Sequence, residues 1–223
     1  EATAELQEFA ELTEIPVYCT MPGKSSFDER HPLALGAGSS STSLPARTWL
    51  QESDVLFAVG SSMTRTNYGQ PIPDGKVIIH NVESIEDINK DFSVDVGLPG
   101  DTKLTLTAMI AEVKAQIGAN GRKGQTNVAK EIADMRDAWL GEWQDLLNSD
   151  EVPINTYRII AELERCLDKD KSIVTHDAGA PRDCIVPFYP ATVPHSYIGW
   201  GKTTHLGFSI PLMIGAKLAQ PSK

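Results

Sequence analysis

Clusters of basic residues are missing from this sequence, and so are long apolar runs. The 223 residues carry 20 Lys and Arg against 30 Asp and Glu, a formal net charge of −10. Proteins that bind a nucleic-acid phosphate backbone draw on clustered Lys and Arg, so RNA and DNA are excluded as main partners. No run approaches the ~20 apolar residues of a membrane span, and the first residues lack a signal-peptide pattern. We therefore expect a cytoplasmic protein with no membrane association.

The cysteines and histidines also form no motif that indicates a disulfide framework or a zinc site. The three cysteines, Cys19, Cys166 and Cys184, are far apart and form no CxxC pair, which excludes a disulfide framework and predicts free thiols. The five histidines form no HxxxH or HExxH motif, so we expect no zinc site. No GxGxxG motif follows a predicted strand, which weighs against a dinucleotide-binding site.

What is present indicates an ordinary globular protein of two domains. Apolar residues make up 41% of the chain and charged residues 22%. The length exceeds the ~100–150 residues of a typical domain. We therefore take two domains as the starting hypothesis.

Helix and strand patterns alternate through the first half. Short apolar, β-branched runs predict buried strands at IPVYCT, DVLFAVGSS, KVIIHNVE and VDVGLPGD. Helical patterns occupy EATAELQEFAEL, SLPARTWLQES and the segment after Asp101, which we predict as a helix cap. We interpret residues 25–38 as a polar loop. This alternation predicts an α/β fold with a parallel, doubly wound sheet and ligands at the carboxyl ends of its strands.

The second half begins after a glycine-rich linker. GANGRKGQ, residues 118–125, has no apolar period, and a helical connector is predicted from about residue 126 to 147. Asn155 is predicted to cap the next helix, and the strand SIVTHDAGAP follows. The predicted domains are residues 1–117 and 151–223, with residues 118–150 as linker and connector.

Two glycine-containing turns are candidates for ligand binding. One is DAGAP, directly after a strand, and the other is GWGKTTHLGFSIPLMIGAK, which leads into an apolar helix. Backbone N–H groups in such turns can face an anion. A single glycine after a strand also occurs in ordinary connecting turns. The motif alone therefore does not decide between an anion-binding turn and an ordinary connection.

Taken together, these segments resemble one known family. GKSSFDERHPLALG, ESDVLFAVGSSMTR, SIVTHDAGAP and HLGFSIPLMIGAKLAQP, in this order, are similar to thiamine-diphosphate-dependent enzymes of the acetolactate synthase and benzoylformate decarboxylase type. The resemblance implies a Rossmann-like parallel-sheet central domain followed by the first, truncated part of an α/β thiamine-diphosphate-binding domain. It implies a lyase or transferase that makes or breaks a C–C bond next to a carbonyl, by decarboxylation or carboligation of a 2-oxo acid.

The resemblance also implies roles for individual residues. The turn from Asp177 to Pro181 would face the diphosphate, and Leu206 would hold the cofactor in its bent shape; without the resemblance, Leu206 would be read as a core residue. His205 and His176 could serve as acid or base, or be structural. The residues predicted to bind the cofactor are Asp177, Ala178, Gly179, Ala180, Pro181, Thr204, His205 and Leu206.

The family pattern is incomplete here. The Gly-Asp-Gly motif that holds Mg²⁺ and the glutamate that starts cofactor deprotonation both lie outside these 223 residues. We therefore expect a fragment of a homodimeric or homotetrameric enzyme, inactive alone, with no metal ligand of its own. Flavin binding, which would involve Gly36, Gly38 and Arg65, is not expected, because GAGSSSTS departs from the flavin-binding pattern. The alternative is a non-catalytic nucleotide-binding or regulatory Rossmann-like module.

Overall fold

A computed structural model of the chain describes residues 2–200 and 205–223. Thr204, one of the predicted cofactor-binding residues, lies outside the described residues. The helices are α1 (Thr3–Thr13), α2 (Leu44–Glu52), α3 (Thr102–Ile117), α4 (Val128–Glu142), α5 (Gln144–Leu147), α6 (Thr156–Cys166), α7 (Ala180–Phe188) and α8 (Ser209–Ala219). The strands are β1 (Val17–Thr20), β2 (Ala34–Gly38), β3 (Val55–Val59), β4 (Val77–Val82), β5 (Val96–Pro99), β6 (Val174–Thr175) and β7 (Tyr197–Ile198).

The strands form three small parallel sheets. In the part of the chain that the structure describes, β1 pairs with β2, β3 and β5 flank β4, and β6 pairs with β7, and every pair is parallel. The α/β class and the parallel pairing are therefore confirmed. Within the described ranges, the five strands of the first half are divided between two sheets, whereas the sequence predicts one doubly wound sheet there.

The run VLFAV forms β3 because both of its faces are covered. Phe57 and Val59 pack on one side against α1 and α3, in a cluster centred on the buried Leu106. Ala58 packs on the other side with Met63 and Ile78. A strand that packs against apolar side chains on both faces has a continuous apolar sequence, which is why the sequence predicts β3 correctly.

The prediction of a polar loop over residues 25–38 is wrong at its end. Ala34–Gly38 form β2, which is almost fully buried and pairs with β1. Four of the five residues in ALGAG are alanine or glycine, and none has the β-branched side chain that marks a strand, so the pattern gives no local signal. Residues 36–38 of the segment GAGSSS therefore belong to β2, and residues 39–41 follow the strand.

The helical connector is confirmed but interrupted. α4 ends at Glu142 and the short α5 begins at Gln144, with Trp143 between them. Trp139 stacks on Phe188 of α7 with ring centroids 4.8 Å apart, and Trp143 packs against the same ring. The Trp139 and Trp143 side chains of the connector therefore pack it against α7.

The largest apolar cluster joins the two halves of the chain. It combines Phe27 and Ala34 from the first half with Ile160, Val186 and Tyr197 from the second. Inside this junction Lys24 is fully buried: its Nζ lies 2.5 Å from Glu29 Oε2 and donates to the Val186 carbonyl at 3.1 Å. The predicted domain boundaries at residues 117 and 151 stay a prediction.

The three thiols are unpaired, as predicted: Cys19 is buried, Cys184 is half-buried and Cys166 is exposed. Among the helices of residues 2–200 and 205–223, none is both long and apolar enough to cross a membrane.

Candidate functional site

The turn after β6 carries five of the predicted site residues. β6 ends at Thr175, and α7 begins at Ala180 with Gly179 as its N-cap residue. Ala178 is buried, whereas residues 179–181 are exposed to solvent. The chain therefore presents the beginning of α7, and not the end of the strand, to a ligand.

Gly179 makes this turn possible. Its φ is 79° and its ψ is −143°, a backbone conformation that is essentially reserved for glycine. A Cβ added here would meet no heavy atom within 4 Å, so the space in front of the glycine is open. The first amides of a helix carry the positive end of the helix dipole. In α7, Pro181 contributes no N–H and the Arg182 amide donates to the Gly179 carbonyl at 3.1 Å, so the amides of Gly179 and Ala180 are the ones that can face a ligand. An anion can approach this point closely.

Asp177 has a different environment from its exposed neighbours. Its carboxylate accepts hydrogen bonds from the amides of Ala178 at 2.8 Å and Gly207 at 2.9 Å, and from the Ser209 hydroxyl at 2.6 Å. These bonds, the one from Ser209 foremost, lower the pKa of Asp177 to about 2. The carboxylate thus ties the turn after β6 to the loop before α8, and its acceptor sites are occupied by the protein itself.

The loop before α8 holds the second group of predicted residues. His205 is exposed, and Leu206 is 81% exposed. The alternative interpretation of Leu206 as a core residue is therefore wrong. Phe208 turns back and meets Trp200 edge-on, with centroids 5.4 Å apart. Through Asp177, this loop and the turn at residues 178–181 lie side by side.

His176 lies beneath the turn and is almost fully buried. Its ring stacks on Trp200 with centroids 5.5 Å apart, and the Trp200 indole N–H donates to the His176 carbonyl at 3.1 Å. The Nδ1 atom lies 3.1 Å from the Asp177 carbonyl oxygen. Burial lowers the pKa of His176 below its usual value, so the ring is neutral at pH 7. A buried neutral ring stacked on Trp200 favours the structural reading of His176.

The sequence analysis missed a polar cluster on the first turn of α7. Arg182 forms a two-point contact with Asp183, and Asp183 also accepts a hydrogen bond from the Ser40 hydroxyl at 2.9 Å. The Arg182 guanidinium lies over the Tyr68 ring, 5.1 Å from its centroid. Ser40 and Asp183 are 143 positions apart in sequence, so no local pattern could have indicated the contact.

Among the described residues no cluster could hold a metal ion, and the groove between α6, β6 and α8 does not suit an anion. The described residues contain no group of three or more His, Cys, Asp or Glu side chains that could hold a metal ion. A groove of about 770 Å³ runs between α6, β6 and α8, but its walls are mostly apolar side chains such as Leu163, Ile185 and Met213, and Lys217 is the one charged side chain among the described residues that line it. The groove offers an anion far less than the beginning of α7 does.

Comparison with known proteins gives consistent results. Residues 1–109 match the model of the thiamine pyrophosphate enzyme central domain. The whole chain is similar to a probable acetolactate synthase large subunit of Methanococcus aeolicus, with 30% identity over 99% of this chain and 38% of the relative. It is 27% identical to the acetolactate synthase isozyme 3 large subunit of Escherichia coli, over 98% of this chain and 38% of that protein. It is also 28% identical to a 3D-(3,5/4)-trihydroxycyclohexane-1,2-dione hydrolase of Bacillus anthracis, over 100% of this chain and 38% of that protein. The chain thus spans about two fifths of the length of these curated relatives.

Proposed function

Since the chain belongs to the family of thiamine-pyrophosphate-dependent enzymes, we propose that the natural protein containing it is a carboligase or lyase of the acetolactate synthase type. In this reaction a 2-oxo acid loses CO₂, and the remaining unit is joined to the carbonyl carbon of a second substrate molecule. The bound cofactor supplies an electron sink for the carbanion. The chain's own residues bind and orient the cofactor.

One observation carries the proposal. The Asp177 carboxylate joins the turn at residues 178–181 to the loop at residues 205–209, the two segments for which the sequence predicts contacts with opposite ends of the same cofactor. A diphosphate fits the exposed first turn of α7, where helix amides and the open space at Gly179 favour an anion. The exposed Leu206 fits an apolar wall for the organic part.

Asp177 receives a supporting role in this proposal, not a direct contact. Its oxygens are committed to Ala178, Gly207 and Ser209, so it fixes the spacing between the two ends of the site. We assign no residue of the described part to Mg²⁺. We also assign no flavin, because the Arg65 side chain donates to the Asp91 carbonyl and lies over the Phe92 ring, 4.8 Å from its centroid.

We extend the proposal to the protein's partners and location. A small 2-oxo acid is the substrate class and a homodimer or homotetramer is the expected state, both by the family resemblance alone. The cytoplasm is the location that the composition and the hydropathy pattern predict. The Bacillus anthracis relative is named for a cyclic dione, so the carbonyl substrate differs among proteins similar to this chain.

The test is turnover by the natural protein with thiamine diphosphate, Mg²⁺ and pyruvate. Cofactor-dependent CO₂ release, with acetolactate as product, supports the proposal. CO₂ release without acetolactate places the protein among decarboxylases of the same family. Absence of any cofactor-dependent reaction with pyruvate, other 2-oxo acids or cyclic diones overturns the proposal.

A further inference from the structure

A residue from the first half of the chain contacts the first turn of α7, which belongs to the second half. Asp183 is the centre of this contact: it accepts from the Ser40 hydroxyl at 2.9 Å and from the Arg182 Nε at 2.8 Å and Nη2 at 3.1 Å. Ser40 lies two residues after the end of the buried strand β2, and Asp183 lies four residues after the N-cap Gly179. The contact therefore spans the junction between the two halves of the chain.

A second pair of contacts supports the same junction. Gln70 donates to the carbonyl oxygens of Ser39 and Ser40, each at 2.9 Å, and so fixes the loop after β2. Arg182 is 7% exposed, and its guanidinium covers the Tyr68 ring. A buried guanidinium is stabilised when it is both paired and stacked on an aromatic face, and here both conditions are met.

The cluster points away from the cofactor turn and towards the first half. Arg182 is buried, whereas residues 179–181 are exposed. The charged groups therefore do not form part of the anion-binding surface. Arg182 and Asp183 instead hold the first turn of α7, which carries the anion-binding surface, in a position set by Ser40 and Tyr68.

From this geometry we propose that Arg182, Asp183, Ser40 and Tyr68 are positioning residues for the proposed cofactor site. They orient the beginning of α7 so that its amides face the diphosphate, without touching the cofactor. The proposal rests on the proposed function. It predicts that cofactor affinity depends on residues 40 and 68, which precede the cofactor turn by more than a hundred positions in sequence.

Calorimetric titration of the natural protein with thiamine diphosphate and Mg²⁺ tests this, using Ser40→Ala, Asp183→Ala and the double variant. A hydrogen bond to a charged group is worth about tenfold in an equilibrium constant, so Ser40→Ala should raise Kd about tenfold, and Asp183→Ala, which also unpairs Arg182, at least as much. Because Asp183→Ala already removes the acceptor of the Ser40 hydroxyl, the double variant should raise Kd no further than Asp183→Ala does. Asp134→Asn, which breaks an exposed ion pair on α4, is the matched control and should leave Kd unchanged.

The ring at position 68 gives a finer comparison. Tyr68→Phe keeps the aromatic face under Arg182 and should bind the cofactor as the wild type does, whereas Tyr68→Leu should bind it more weakly. Folded variants of Ser40 and Asp183 with wild-type Kd would overturn the proposal, and so would effects of the two changes that multiply to about a hundredfold.

Amide hydrogen exchange of the ligand-free protein separates this proposal from the proposed function. Faster exchange at the amides of residues 180, 182 and 183 in Ser40→Ala than in Asp134→Asn supports the part of the proposal that concerns the order of the first turn of α7, and it does so independently of cofactor binding. Unchanged exchange at these amides contradicts it.

Discussion

The buried ion pair at the junction of the two halves gives the most quantitative prediction. Lys24→Met keeps the aliphatic length of the side chain but removes the charge. Glu29 then retains the Ala191 amide, 3.3 Å away, as its hydrogen-bond donor among the described residues, and the Val186 carbonyl loses the Lys24 donor. Removing one partner of a buried pair costs about 3–5 kcal/mol because the other charge stays buried without compensation. Burial already raises the pKa of Glu29 and lowers that of Lys24, which shows how strongly this environment opposes charge.

The free energy of unfolding measured in urea should therefore fall by about 3–5 kcal/mol in Lys24→Met. The midpoint of thermal unfolding should fall by roughly 6–20 °C, since 1 kcal/mol corresponds to about 2–4 °C at this chain length. Lys24→Met combined with Glu29→Leu should recover most of this loss, because apolar residues of similar volume replace a buried pair with little penalty.

Lys130→Met is the control for this prediction. Lys130 is 73% exposed in its pair with Asp134, and we expect its replacement to change the unfolding free energy by less than about 1 kcal/mol. The reasoning is refuted if Lys24→Met is no more destabilising than Lys130→Met, or if the double variant is less stable than Lys24→Met.

Three further predictions concern the turn after β6. Gly179→Val should cost about 1–3 kcal/mol of stability through backbone strain and weaken cofactor binding. Gly118→Val, at a φ of 90° with equally open space, should show the strain in chemical denaturation without the binding defect in calorimetry. The pKa of Asp177, lowered from 3.8 to about 2, means that its contribution to stability is complete above about pH 4 and is lost as the pH falls towards 2. Asp177→Asn should therefore flatten this acid region of a stability-versus-pH curve, and an unchanged curve would contradict the contacts. Burial lowers the pKa of His176 below 6.5, so the folded state resists its protonation and stability should decline as the pH drops below about 6.5. An NMR titration should place the His176 pKa below 6.5, and a value above 6.5 would contradict the burial of its ring.

Local features were predictable because their causes lie within a few residues. Asp101 caps α3 by accepting from Leu104 N at 2.9 Å, and Asn155 caps α6 by accepting from Tyr157 N at 2.9 Å. Both contacts follow from side chains that suit N-cap positions. β3 and β4 were equally visible, because strands covered on both faces are continuous apolar runs.

Features that depend on distant partners were not predictable. β2 is built from ALGAG, and what makes it a strand is pairing with β1 and burial in the junction, not local propensity. The turn before α7 was predicted but the helix itself was not, since APRDCIVPF contains two prolines and its helical start depends on Gly179. The contact between Ser40 and Asp183 and the environment of Lys24 bring together residues more than 140 positions apart.

For the candidate site, the sequence predicts two separate segments, and that prediction stays a prediction. It places Asp177 among the cofactor contacts, and the structure adds that the carboxylate accepts from Gly207 and Ser209, 30 and 32 positions further on. Such a bridge requires the fold, because both segments are ordinary glycine-containing turns when considered alone.

The central claim is that the beginning of α7 and the loop before α8 bind the two ends of one cofactor. Hydrogen–deuterium exchange of the natural protein, with and without thiamine diphosphate and Mg²⁺, tests it most directly. The account predicts protection of residues 178–183 and 205–209 together, at the same cofactor concentration. Saturable binding that protects neither segment, or only one of them, would contradict it.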